Sequence, residues 1–167
     1  MYSIAGGLIT TQFVDITNIP QNFAHLQLRI YGRNTTVNNN EYVAIYTSAS
    51  QSGHIFEGNG TGPSVTHATG SFGYGMGIFP GANSAVNVFG NIIVDIYDYS
   101  STNKTKVMRS ICGYTNASSA GMVRYSSSFT PAVNTAMTSL TFFAGSTWHV
   151  NSRWELYGIE STSRTGV

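Results

Sequence analysis

The amino-acid sequence predicts an all-β protein, a single antiparallel β-sandwich of about eight strands over residues 1–167. Runs of alternating apolar and polar residues recur along the chain, with the period of a half-buried strand. Segments rich in Gly, Ser, Thr and Asn separate these runs and have the chemistry of turns. No stretch of a dozen residues holds the 3.6-residue period of a helix. With 9% charged and 41% hydrophobic residues, the composition fits a β-protein and excludes a disordered chain.

The last long run, Trp148–Ile159, is the strand on which we expect the core to be built. Trp148, Val150, Trp154 and Leu156 share one parity, and polar residues occupy most of the other. This period of two predicts a strand with one buried and one solvent-facing side. Each tryptophan ring buries about 150–250 Å², so both rings are predicted to point into the core.

The other elements follow from the same pattern. Residues 1–7 are predicted to be an N-terminal arm and residues 160–167 a polar tail. Residues 48–80 are rich in glycine with short apolar pieces, which indicates bulged or bent strands. The regular spacing leaves a sandwich and a jelly roll open as alternatives. Strands are predicted at Leu8–Ile16, His25–Arg33, Glu41–Thr47, Asn91–Tyr99, Lys104–Tyr114, Gly121–Thr130 and Met137–Phe143.

Charge and hydropathy exclude two classes of partner. The net charge is +1 and the basic residues are scattered, with only Lys104, Lys106 and Arg109 close together. Nucleic-acid binding needs a basic face, so no nucleic acid is expected as a partner. No run approaches the ~18 apolar residues of a membrane span, and the first residues lack the pattern of a signal peptide. We therefore expect synthesis and folding in a cytoplasm, and few charges to keep copies of the chain apart.

Residues with chemical potential are isolated along the chain. The only cysteine, Cys112, lies in a predicted strand and is interpreted as a buried apolar side chain. The histidines form no close pair with metal-ligand spacing, so no metal site is predicted. They are His25, His54, His67 and His149.

Catalytic patterns are also missing from the sequence. Asp95 and Asp98 are predicted on opposite faces of one strand, which does not make an acid–base pair. The run Gly73–Gly77 resembles a phosphate-binding loop, but no helix follows it, so it is interpreted as a bent strand. There is no nucleophile elbow and no P-loop. We predict no catalytic residue and no cofactor.

Three pieces of the chain resemble small virion structural proteins of tailed bacteriophages. They are Asn18–Arg33 (NIPQNFAHLQLRIYGR), Ile92–Thr105 (IIVDIYDYSSTNKT) and Trp154–Ile159 (WELYGI). The resemblance implies jelly-roll topology, assembly of the chain with itself as a homotrimer, and a place on the capsid or in tail and fibre parts. It carries no catalytic residues. Ser48–Pro80 matches poorly, which leaves the binding specificity of its loops open.

Three functions are compared on this basis. The first hypothesis is a non-enzymatic capsid decoration (cement) protein, located in the virion and bound to the major capsid protein. The second is a tail or fibre module whose Ser48–Pro80 loops bind a host glycan. The third, a glycan-degrading enzyme, requires two facing carboxylates. Aromatic residues predicted in part to be exposed favour a subunit interface over sugar stacking. They are Tyr42, Tyr46, Phe72, Tyr74, Phe79, Tyr97 and Tyr99.

Overall fold

The structure of the protein is a computed structural model that describes residues 1–46, 51–58, 63–70, 77–115, 121–130 and 135–160. Residues 46, 51–58, 63–70 and 121–130 are described by their backbone. Every regular element in these ranges is a β-strand. The strands are β1 (Tyr2–Leu8), β2 (Phe13–Ile16), β3 (His25–Gly32), β4 (Asn40–Tyr46), β5 (Gln51–Gly58), β6 (Pro63–Gly70), β7 (Gly77–Pro80), β8 (Gly90–Tyr97), β9 (Lys106–Thr115), β10 (Gly121–Thr130), β11 (Leu140–Ala144) and β12 (Arg153–Ile159).

The strands form two antiparallel sheets with jelly-roll topology. The large sheet has the order β1-β12-β3-β8-β9-β10-β5-β6, and the small sheet has the order β2-β11-β4-β7. Within these, β1-β12-β3-β8 and β2-β11-β4-β7 are the two four-stranded layers of a jelly roll, in which the chain passes repeatedly from one layer to the other. The predicted fold class is therefore confirmed.

Two hairpins extend the large sheet beyond this jelly roll. The hairpin β5–β6 is inserted between β4 and β7, and the hairpin β9–β10 between β8 and β11. Strand β10 pairs with β5, so the two insertions continue one sheet. The extra strands account for the difference from the predicted number of about eight. The glycine-rich residues 48–80 were expected as short bent pieces, but their described parts, 51–58, 63–70 and 77–80, are regular strands paired with their neighbours.

The core lies between the inner faces of the two sheets. The inward side chains of β3 and β8 alternate with outward ones and are fully buried, which stabilises each by about 1.5–3 kcal/mol. Trp148 packs edge-on against Phe79 and Phe142, with ring centroids 5.3 and 6.1 Å apart. Trp154 meets the same Phe142 ring at 5.9 Å. The prediction that both tryptophans face the core is confirmed.

The final run is not one continuous strand. Trp148 makes an isolated bridge with Asn34, the chain then turns, and β12 begins at Arg153. The Ser152 amide closes this turn on the His149 carbonyl at 2.8 Å. The prediction that Val150 is buried is wrong, because its side chain is 76% exposed. Alternation relates side chains only within one extended strand, and the turn breaks it.

The N-terminal predictions also need correction. The first seven residues are not an arm, because β1 pairs with β12 at the edge of the large sheet. The predicted strand Leu8–Ile16 is divided between two elements: β1 ends at Leu8 and β2 begins at Phe13 in the other sheet. The alternation is loose here because the chain changes layers. Residues 161–167 of the predicted tail lie outside the described residues.

Close packing at Gly158 gives a test of this architecture. A Cβ atom there would lie 2.4 Å from the Phe23 ring, whereas a Cβ at Gly7 meets nothing within 4 Å. We expect Gly158→Ala to lower the free energy of unfolding by about 1–3 kcal/mol through overpacking. Gly7→Ala, in the neighbouring strand, is the control and should stay within about 0.5 kcal/mol of the unaltered protein. Urea unfolding measures both, and equal stability of the two variants would contradict the packing.

Candidate functional site

The structure places the candidate reactive groups apart. Cys112 is a buried free thiol, as predicted, and its Sγ accepts a hydrogen bond from the Ile78 amide at 3.3 Å. Of the glycine run Gly73–Gly77, only Gly77 falls within the described residues. It opens β7, and a Cβ there would overlap Ile92, so this glycine serves close packing.

The histidines with described side chains have structural contacts. His25 Nδ1 accepts a hydrogen bond from the Asp98 amide at 3.2 Å, and the His149 ring packs edge-on against Phe89. The register of β5 and β6 places His54 opposite His67, a proximity that sequence spacing did not reveal; their side chains lie outside the described residues. Over the ranges that the structure describes, no group of three or more His, Cys, Asp or Glu residues is arranged to hold a metal ion.

Asp95 and Asp98 each pair with a different cation. Asp95 projects outward from β8, where it contacts Arg109 Nη2 at 3.0 Å and accepts a hydrogen bond from Gln27 at 2.8 Å. Asp98 lies after the end of β8 with a φ of 52° and contacts Lys104 at 3.3 Å. The two carboxylates therefore belong to separate ion pairs, although Asp98 is in a turn and not on the opposite strand face as predicted.

Two basic residues are buried and hold loops in place, which the sequence did not predict. Lys106 is buried, and its ammonium donates to the backbone carbonyls of Ser101 and Lys104, so it adds no charge to the surface near Lys104 and Arg109. Arg33 is also buried and fixes the connection between β7 and β8. Its guanidinium donates to the backbone carbonyls of Ala82, Ser84, Ala85 and Val88. The alternation of apolar and polar residues cannot predict the burial of a cation whose hydrogen-bond acceptors are backbone carbonyls of loops.

The seven candidate aromatic residues separate into different environments. Phe79 and Tyr99 belong to the core, where part of this set was expected. Tyr97 is half-buried, and Tyr42 is 54% exposed. The side chains of the other three, Tyr46, Phe72 and Tyr74, lie outside the described residues.

The outward side of the small sheet carries a surface that we call the aromatic face. Phe13 of β2 is 45% exposed and stacks on Phe143 of β11, with ring centroids 5.1 Å apart. Tyr42 of β4 is 54% exposed on the same side of the sheet, two residues before Ala44, which pairs with Phe143. Asp15 supplies a carboxylate, which accepts a hydrogen bond from the Thr141 hydroxyl at 2.6 Å. This side of the described sheet is rich in aromatic area and poor in charge.

The outward side of the large sheet carries charged side chains beside its aromatic ones. Arg29 lies over the Tyr157 ring at 4.9 Å, and Arg153 lies over the Tyr31 ring at 4.7 Å. Between them is a depression of about 210 Å³, which we call the arginine depression. It is lined by Arg29, Ile30, Tyr31, Asn91, Ile92, Ile93, Arg153, Trp154 and Glu155.

Comparisons of the chain with models of known protein families, with curated proteins and with solved structures found no match. The resemblance to phage virion proteins therefore stays a prediction. No helix in the described part of the chain is long and apolar enough to cross a membrane.

The buried Tyr99 predicts a loss of stability at alkaline pH. Burial raises the pKa of its hydroxyl, which donates to the Pro20 carbonyl. Because the folded-state pKa is raised, the stability from the neutral phenol is full below the ordinary value of 10.0 and is lost as pH rises through the folded value. At pH 7 we expect Tyr99→Phe to lower the free energy of unfolding by about 1 kcal/mol. Above about pH 10 the variant should lose less stability than the unaltered protein, as measured by urea unfolding. Tyr2→Phe, at an exposed tyrosine, is the control; an unchanged alkaline profile in Tyr99→Phe would contradict the assignment.

Proposed function

We propose that the protein is a non-enzymatic structural component of a virus particle, a capsid decoration protein that assembles with copies of itself and stabilises the shell. The observation that supports this best is the aromatic face of the small sheet. An exposed aromatic surface on a jelly roll of this size is suited to contact with another protein. The resemblance of three segments to phage virion proteins is the reason for proposing a place on a virus particle.

Low charge makes the aromatic face suited to contact with other copies of the chain. When identical or neighbouring faces meet, charges of one sign are brought together, and that costs free energy unless few are present. On the aromatic face, Asp15 is the charged side chain among the described residues, and it lies beside the apolar centre formed by Phe13 and Phe143. Aromatic residues are enriched in the buried centres of interfaces. The homotrimer implied by the resemblance is our proposal for the resulting assembly.

A decoration protein must also contact the shell, and the sandwich offers a second outer face for this. The outward side of the large sheet continues over the inserted strands β9, β10, β5 and β6, beyond the strands that carry Arg29 and Arg153. Contact between copies through one face therefore leaves the other available to the major capsid protein. Joining neighbouring shell subunits in this way would add buried area across their boundaries, which resists pressure from inside.

The alternative of a tail or fibre module with glycan-binding loops has less support. Within Ser48–Pro80, the side chains that are described belong to Gly77–Pro80, and all four residues are buried. A binding function for the remaining loop residues stays a proposal drawn from the sequence.

Self-association through the aromatic face is tested by replacing its exposed rings. We expect Phe13→Asp and Tyr42→Ser each to weaken assembly by about thirtyfold or more, the usual effect of removing a central interface residue. Val150→Asp alters an apolar side chain that is even more exposed, in the turn before β12, and should leave assembly unchanged. Sedimentation at low and high salt measures the mass, which should be insensitive to salt. A monomeric unaltered protein, or equal loss in the control, would refute the interface.

The place on the particle is tested by electron microscopy of intact virions labelled with a gold-conjugated antibody to this chain. We expect label over the shell. Label confined to the tail would overturn the decoration function in favour of a tail component, and unlabelled particles that contain no copy of the chain by mass spectrometry would overturn both.

A further inference from the structure

The arginine depression has the features of a preorganised anion-binding site. It lies on the outward side of three adjacent strands, β12, β3 and β8, whose register brings its members together. Arg153 pairs across with Tyr31, and Tyr31 with Asn91. In the next outward row, Glu155 is opposite Arg29. Because neighbouring strands of a sheet are held at a fixed spacing, the two arginines keep a defined separation.

Arg153 is held in place by aromatic stacking. Its guanidinium lies 4.7 Å from the centre of the Tyr31 ring. Tyr31 in turn stacks on Phe89 with an interplanar angle of 9°, and His149 meets Phe89 edge-on. This series of rings limits the rotamers of a long side chain before any ligand arrives. The arginine side chain therefore loses less conformational entropy when a ligand binds.

Arg29 is ordered in a parallel way on the other side of the depression. Its guanidinium lies 4.9 Å from the centre of the Tyr157 ring, and its Nε donates to Gln27 Oε1 at 2.8 Å. Its Nη2 lies 3.6 Å from the Met1 sulfur, which is a weak acceptor. The remaining guanidinium hydrogens are suited to a stronger acceptor.

Neither arginine is neutralised by an acid in the part of the chain that the structure describes. Arg109 on the same sheet face pairs with Asp95, whereas no ion pair joins Arg29 or Arg153 to a described carboxylate. Glu155 lines the depression but accepts a hydrogen bond from the Tyr157 hydroxyl, an interaction that raises the pKa of Tyr157. With two arginines and one glutamate, the lining has a formal charge of +1.

We propose that the arginine depression binds a carboxylate-bearing sugar residue of a polysaccharide. The fork of N–H donors on arginine matches the two oxygens of a carboxylate. A depression of about 210 Å³ has room for one sugar ring. The Asn91 amide and the Glu155 carboxylate supply partners for hydroxyl groups, and Ile93 supplies an apolar contact for the C–H side of the ring. The small net charge fits a single carboxylate better than a polyphosphate chain.

This site is independent of the aromatic face. The two surfaces are on the outward sides of different sheets, so loss of one function leaves the other measurable. A chain that assembles and binds no sugar, or binds sugar and stays monomeric, separates the two proposals.

The test uses the unaltered full chain and the trimer of galacturonic acid as the probe. Its fully methyl-esterified form and neutral galactotriose are the matched ligands without a carboxylate. We expect the acid to bind at least about tenfold more tightly than either, by calorimetry at low salt. Arg153→Gln and Arg29→Gln should each weaken binding of the acid by about tenfold or more, the size of one charge-assisted hydrogen bond.

Arg109→Gln is the control variant, because it removes the same charge from the same sheet face and Arg109 does not line the depression. It should bind the acid within about twofold of the unaltered protein. Arg153→Lys keeps the charge without the fork, and we expect it to lose affinity as well. Thermal unfolding of each variant confirms that it is folded.

The proposal would be overturned by equal binding of the acid and its methyl ester, by equal loss in Arg109→Gln, or by the absence of binding to the galacturonic acid trimer. Competition by inorganic sulfate as strong as that by the acid would also overturn it, because the depression would then be a general anion site that does not recognise a sugar.

Discussion

Apolar contact between the inner faces of the two sheets is the interaction on which the structure depends. Phe142 in the small sheet receives the edge-on rings of Trp148 and Trp154, and fully buried aliphatic residues of β3 and β8 surround this centre. Each sheet alone would expose one apolar side to water. Packing the two together removes that area, and the resulting layer of side chains sets the distance and orientation of both sheets.

Because the inner faces of the two sheets pack against each other, only their outward faces are available to contact other molecules. The same alternation that directs Leu28 and Ile30 inward directs Arg29 and Tyr31 outward. A jelly roll therefore presents two exposed sides whose compositions can differ. Here one is aromatic and poor in charge, and the other carries ordered arginines. Buried cations such as Arg33 secure the connections at the ends of the sandwich, so the outer faces rest on a fixed framework.

Prediction from the sequence succeeded where one strand covers a whole alternating run. Strands β3, β8 and β9 follow their predicted runs, since each lies regularly between two neighbours and one of its sides is buried. It failed at Val150, where a turn interrupts the run, and at residues 1–7, whose glycine-rich composition conceals an edge strand. The sequence also left open which of the seven candidate aromatics are core residues, as Phe79 and Tyr99 are, because burial of a single aromatic depends on what covers it.

The sequence by itself determined the all-β class, the inward-facing tryptophans and the buried Cys112, because these follow from local alternation and residue type. Only the tertiary structure decided which strands are neighbours. That pairing placed Arg153 beside Tyr31 and Phe13 beside Phe143, although more than a hundred residues separate the members of each pair. Contacts between distant strands depend on topology and register, and neither is encoded in the period of any one segment.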